Sequence, residues 1–213
     1  MPWWSNAMEN LNSLIALHGD IASARARAFA KVYQGRRGAM VIDVIASRQR
    51  KYEQRVLGMV ADYETNHPSS LTHLAHEGWK DVPGLRQGEA ETMRSVAQGL
   101  LRYSQEHLFD EDAGVKAWAD GSESFVHAPK IEPYVGNVHG VGPALFAYLR
   151  IRSGADGIKP DSRVHAALAR LGFPIPADEH TIYVVARAAA LQARIPLLEL
   201  DQLLWWTEPM TNA

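Results

Sequence analysis

The chain has 213 residues, 46% hydrophobic and 22% charged, with 22 Lys and Arg against 24 Asp and Glu for a formal net charge of -2. That length and apolar content can bury a sizeable core, and the near-neutral charge neither requires nor forbids a polyanionic partner. The absence of cysteine excludes disulfides, thiolate nucleophiles, Cys-ligated zinc and Cys-held iron–sulfur clusters.

No apolar run is long enough to cross a bilayer and no secretory signal is visible, which predicts a soluble cytoplasmic protein. Met1 to Ala7 places Trp3 and Trp4 ahead of a second methionine at Met8 and reads as a leader, leaving 8–213 as a single helical domain. Alternating strand patterns are scarce, whereas apolar residues recur at i, i+3 and i+4, so the fold class is all-α. A first helix is predicted from about Asn10 to Tyr33, with Leu11, Leu14, Ile15, Leu17, Ile21, Phe29 and Val32 as its buried stripe, stopping near Gly35 and Gly38.

A second helix starts near Ala39 with Met40, Val41, Ile42, Val44 and Ile45, and a third covers Tyr52 to Glu64, with Ser47-Arg48-Gln49 at their junction. Between Arg25 and Arg55 nine bases stand against only Asp43 and Glu53, a segment that either faces phosphate or solvates a helix surface. Pro68-Ser69-Ser70 breaks the pattern, and helices follow near Leu71 to Gly78 and Gly88 to Glu106. Residues 108–133 read as an acidic surface loop with a short helix. From Ile131 the pattern gives a short helix, the turn Val138-His139-Gly140-Val141-Gly142, and a helix from Pro143 to about Ser153. After Lys159-Pro160-Asp161 come helices over Ser162 to Leu171, Thr181 to Arg194 and Glu199 to Trp206. Trp205-Trp206, Trp118 and Trp79 read as packing, with Trp79 or Tyr52 alternatively lining a pocket for a base. His73 and His76 with Glu77 are too few for a metal site.

Two short segments carry chemistry. The glycines of Gly140-Val141-Gly142 permit a tight turn and close approach of backbone to another molecule; the start of a helix at Pro143 offers unpaired N–H groups to a phosphate, although a plain interhelical turn uses the same residues. Asp161, after Pro160 and just before an apolar segment, is a good helix N-cap.

Val138-His139-Gly140-Val141-Gly142-Pro143-Ala144 resembles the hairpin of helix-hairpin-helix DNA-binding proteins, and Lys159-Pro160-Asp161-Ser162-Arg163-Val164 resembles the segment that carries the catalytic aspartate of the helix-hairpin-helix DNA glycosylase superfamily. Val41 to Gln49 is similar to that superfamily's early apolar helix with its Ser-x-Gln ending. Over Ala39 to Leu171 the three matches follow the family's order. The resemblance implies a compact two-lobed helical fold in which Asp161 stabilises an oxocarbenium-like sugar and orients or deprotonates a water. Gly140, Val141, Gly142, Pro143, Ala144 and Leu145 would hold phosphate. Gln49 would fill the gap left by a flipped base, flanked by Ser47, Arg48, Arg50 and Lys51 on the backbone.

The same resemblance implies a monovalent cation, Na+ or K+, on the carbonyls of Gly136, Val138 and Val141. It implies no iron–sulfur cluster, because the branch that carries one uses four terminal cysteines. Members that also cut the strand carry a lysine where this chain has Ala144, so the implied activity is monofunctional base-excision repair by a monomer acting on duplex DNA with a damaged or modified base. Two alternatives stay open: a non-catalytic helix-hairpin-helix DNA-binding protein with Asp161 as a cap, and a helical protein-interaction domain. The residues do not select the base.

Overall fold

Arg37–Ala46 carries two charged side chains in ten residues, and a helix apolar on nearly every side is stable only in an interior. In the computed structural model, which describes residues 2–29 and 31–207, this segment is helix α2 and all ten residues are buried. The described residues form helices and turns without a strand, as the periodicity predicts. They divide into two compact units: Lys31–Ala155, and the two ends of the chain, 2–29 with 156–207.

In the middle unit α2 is packed by α3 (Leu57–Asn66), α4 (Leu71–His76), α5 (Glu89–Glu106), α6 (Glu111–Gly121) and α7 (Pro143–Arg152). Helix starts are fixed locally: Ser70 Oγ accepts from the His73 N–H to open α4, and Asp110 accepts from the Ala113 N–H to open α6. The third predicted helix begins at Tyr52 as expected, but its first turn, Tyr52–Val56, is π-helical before α3 takes over. The acidic stretch is more ordered than expected, holding α6 and short 3-10 turns at Glu123–Phe125 and Pro129–Ile131.

The other unit joins α1 (Pro2–Phe29) to α8 (Ser162–Arg170), α9 (Glu179–Ala193) and α10 (Leu197–Thr207), with α10 against the other three. Asp156 closes it by accepting from the Leu197 and Leu198 N–H groups at 3.1 and 2.7 Å, the first turn of α10. The expected leader is instead part of α1: Ala7 is fully buried, Trp4 Nε1 donates to Gln192 Oε1 at 2.7 Å, and the Trp4 ring meets Phe173 edge-on. Met1 lies outside the described residues. The buried stripe also differs, because Ala7, Met8, Leu11, Ala22 and Ala26 face inward while Leu17 and Ile21 are 74% and 54% exposed. Small side chains let neighbouring helices approach closely, which a pattern weighted by side-chain size misses. Nor does Trp206 seal the core; it is exposed, with the Arg25 guanidinium 3.7 Å above its ring.

Among the described residues no single helix is long and apolar enough to cross a bilayer; α9 and α10 pass that test only as a pair bent by 107°.

Candidate nucleic-acid interface

Ser47 ends α2, and its hydroxyl donates to the Val44 carbonyl at 2.7 Å. The chain then turns through Arg48 and Gln49, both exposed, and Gln49 takes φ +53°, a left-handed geometry uncommon for a side-chain-bearing residue. Lys51 is exposed beyond it.

Arg50 departs from expectation. Its guanidinium is a bidentate partner of Glu89, with Nη1 2.9 Å from Oε1 and Nη2 2.6 Å from Oε2, and it also donates to the Ala46 and Gly84 carbonyls. The two side chains are 8% and 4% exposed, so Arg50 holds the loop from inside instead of reaching phosphate. Burial pushes the Glu89 carboxyl up, but the bonds from Arg50 and from the Arg86 N–H, with both guanidinium charges, outweigh it and hold the group below its ordinary value. Arg36 and Arg37 are likewise paired, with Glu64 and Asp112. The basic segment therefore spends three of its cations on folding.

The hairpin is mounted on the same helix. Thr92, one turn beyond Glu89 on α5, lies 3.0 Å from the His139 carbonyl and shares its hydroxyl proton between that oxygen and the Gly88 carbonyl. Gly140 packs directly on Thr92 at φ +88°, and a Cβ there would stand 2.7 Å from Thr92 Oγ1, so the turn requires glycine. Val141 is buried, and Gly142 leads in extended backbone to Pro143 at the start of α7. No side chain caps this helix, and Gly142, Pro143 and Ala144 are half-exposed, while Leu145 turns inward.

The segment before the turn is not the expected helix. Glu132, 2% exposed, folds its carboxylate onto the N–H groups of Tyr134, Val135 and Gly136 at 3.1, 2.7 and 2.6 Å, and accepts from Trp118 Nε1 at 3.2 Å. A side chain that takes three consecutive N–H groups removes the donors a helix needs, and Pro133 supplies none. A Cβ at Gly136 would stand 2.0 Å from the Pro129 carbonyl, so this loop too depends on glycine.

Of the three carbonyls assigned to a monovalent cation, that of Val138 already accepts from the Val141 N–H at 3.2 Å and from Lys130 Nζ at 2.9 Å. An ammonium thus occupies one position of the expected ligand set. Among the described residues no group of three or more His, Asp or Glu side chains is arranged to hold a metal ion. His73 and His76 line a separate surface groove with Pro68, Ser70, Thr72 and Glu77, which contains none of the candidate residues.

Asp161 belongs to the other unit. Its Oδ1 accepts from the Arg163 and Val164 N–H groups at 3.0 and 3.1 Å, capping α8, and its Oδ2 lies 3.5 Å from Lys159 Nζ. Behind this segment Asp201 of α10, 3% exposed, accepts from the Lys159 N–H at 2.9 Å. Burial pushes the Asp201 carboxyl up to about 7, opposed by the Lys159 N–H and reinforced by the Asp161 charge.

The structure therefore brings the 47–51 tip and the 138–145 turn onto one turn of α5, and removes Arg50 from the exposed set. Sequence reasoning missed Arg86, Glu89, Thr92, Lys130, Glu132 and Asp201. A glutamate or arginine carries no periodic signal that separates an internal brace from surface solvation. Comparison with protein-family models, with curated proteins and with solved structures finds no match.

Proposed function

We propose that the protein is a DNA base-excision glycosylase of the helix-hairpin-helix type that hydrolyses the N-glycosidic bond of a damaged or modified base in duplex DNA. The observation that carries this reading is the start of α7: a left-handed Gly140, an extended Gly142 and Pro143 present a helix N-terminus that no side chain caps. Backbone N–H groups and the helix dipole at such a terminus suit a phosphate. Support comes from the exposed Gln49 tip, which like the hairpin is mounted on α5, with Arg48 and Lys51 beside it.

Asp161 is the catalytic group in this reading. One carboxylate oxygen is committed to α8 while the other faces Lys159, so the oxygen not used by the cap opposes charge on the sugar. Ala144 offers no amine, which favours hydrolysis over strand cleavage. A second reading, DNA binding without catalysis, is favoured by the same cap, since it gives Asp161 a structural role of its own.

The test is single-turnover release of bases from duplexes that carry oxidised, alkylated, deaminated or mismatched bases, with abasic sites developed by alkali, for wild type and Asp161→Asn. Release by wild type and its loss in the variant, with binding retained, establishes the glycosylase and names its base. Binding without release from any duplex leaves the non-catalytic reading.

A further inference from the structure

Gln49 is exposed, yet its backbone is held in a conformation that side-chain-bearing residues avoid. Such geometry persists only where neighbours over-determine it. Here the neighbour is Arg86. Its Nη2 donates to the Gln49 carbonyl at 2.9 Å, and its Nη1 to the Arg48 carbonyl at 3.3 Å and to Gln49 Oε1 at 3.2 Å. Arg86 is itself fixed, because its N–H donates to Glu89 Oε2 at 2.8 Å, the carboxylate that also grips Arg50. Gln49 is therefore fastened from both flanks to one buried acid at the start of α5.

Folding alone does not call for this arrangement. Glycine takes the same φ without strain, and an exposed glutamine adds nothing to the core. A long polar side chain fixed in place at the solvent edge has its rotamer entropy removed before any partner arrives, which lowers the cost of inserting it elsewhere.

We propose that Arg86 is a positioning residue: it locks the left-handed Gln49 tip and aims the glutamine amide so that it enters an opened base stack already oriented. The bond from Arg86 Nη1 to Gln49 Oε1 is the one exchanged for base edges, while the bonds to the two carbonyls hold the loop. The DNA side of this inference rests on the glycosylase reading.

The experiment uses the full chain with a duplex that carries an abasic analogue opposite a fluorescent aminopurine. Aminopurine brightness reports opening of the stack, and anisotropy reports binding. Amide hydrogen exchange at residues 48–51 is measured on the free protein. Wild type brightens the probe and Gln49→Ala does not. Arg86→Ala binds with little loss, brightens the probe roughly 3- to 10-fold less at matched occupancy, the equivalent of one side chain immobilised only on binding, and exchanges faster at the tip. Arg86→Lys, which keeps the charge and a single donor nitrogen in place of the fork, recovers part of both effects and replaces the alanine variant if that does not fold. A bright probe with Arg86→Ala at wild-type exchange rates overturns the inference. A wild type that binds without brightening the probe overturns the glycosylase reading instead, and the exchange data then decide alone whether Arg86 locks the tip.

Discussion

Arg152 Nη2 lies 2.7 Å from Asp43 Oδ2 inside the middle unit, with the two side chains 5% and 0% exposed. The Tyr52 and Tyr148 hydroxyls close around the pair, 3.1 Å from Oδ2 and 3.4 Å from Oδ1, and Arg152 Nε donates to the Tyr148 hydroxyl at 3.1 Å. Removing one partner of such a pair strands a buried charge, so Arg152→Met is expected to cost about 3–5 kcal/mol in urea unfolding, and the double variant Asp43→Leu with Arg152→Met to recover most of it. Burial, with the Asp43 charge, pushes the Tyr52 phenol up to about 12. Tyr52→Phe should remove from a tyrosinate absorbance titration one group that ionises well above the usual tyrosine range.

Asp201 makes folding sensitive to pH near neutrality. Its folded value of about 7 stands above an unfolded value of about 3.9, so the native state holds the extra proton between them and stability falls as pH rises across that interval. Asp201→Asn removes this dependence. Melting temperatures of the two proteins should shift in the variant's favour between pH 5 and pH 8, and a gap that stays constant would contradict the assignment.

Glu89 has the opposite sign. Its carboxyl sits below the ordinary value, so the stability it contributes is present above an unfolded value of about 4.3 and is lost as pH falls through the lower folded value. Acidification should release Arg50 and Arg86 together and speed amide exchange at residues 48–51 before the unit unfolds. Glu89→Gln should exchange fast at neutral pH.

Asp161 separates capping from catalysis by choice of substitution. Asparagine caps a helix about as well as aspartate, whereas alanine forfeits about 1 kcal/mol. If the carboxylate acts in catalysis, Asp161→Asn keeps the thermal stability and loses base release, while Asp161→Ala loses both.

Lys130 predicts an ion effect. If the hairpin binds duplex DNA as proposed, the ammonium on the Val138 carbonyl should make wild-type affinity at fixed ionic strength the same in K+, Na+ and a bulky organic cation. Lys130→Met, which uncovers that carbonyl, should show affinity that depends on K+; an equal dependence in wild type would show that the ammonium does not stand in for an ion.

Much of this was legible in the sequence where one local rule acted alone. The apolar run Met40, Val41, Ile42, Val44 and Ile45 marked a helix from about Ala39, and Pro143 and Asp161 marked helix starts correctly. Legibility failed where a side chain's partner is not marked by any periodic pattern. Glu132 takes the N–H groups that would have extended a helix before the hairpin, and its spacing from them resembles any acidic loop. Arg50 and Arg48 are indistinguishable by pattern, yet the first is consumed by Glu89 thirty-nine positions away and the second is exposed.

The packing of α1 on α10 has a consequence for biosynthesis. Helix α1 emerges from the ribosome well before the helices it packs on, whereas all of Lys31–Ala155 is made in between. Vectorial synthesis thus lets the middle unit assemble while α1, with its buried Met8 and Leu11 still uncovered, waits for α8 to α10. A nascent chain arrested once Ala155 has cleared the ribosome but α10 has not would carry a protease-resistant centre and a digestible α1.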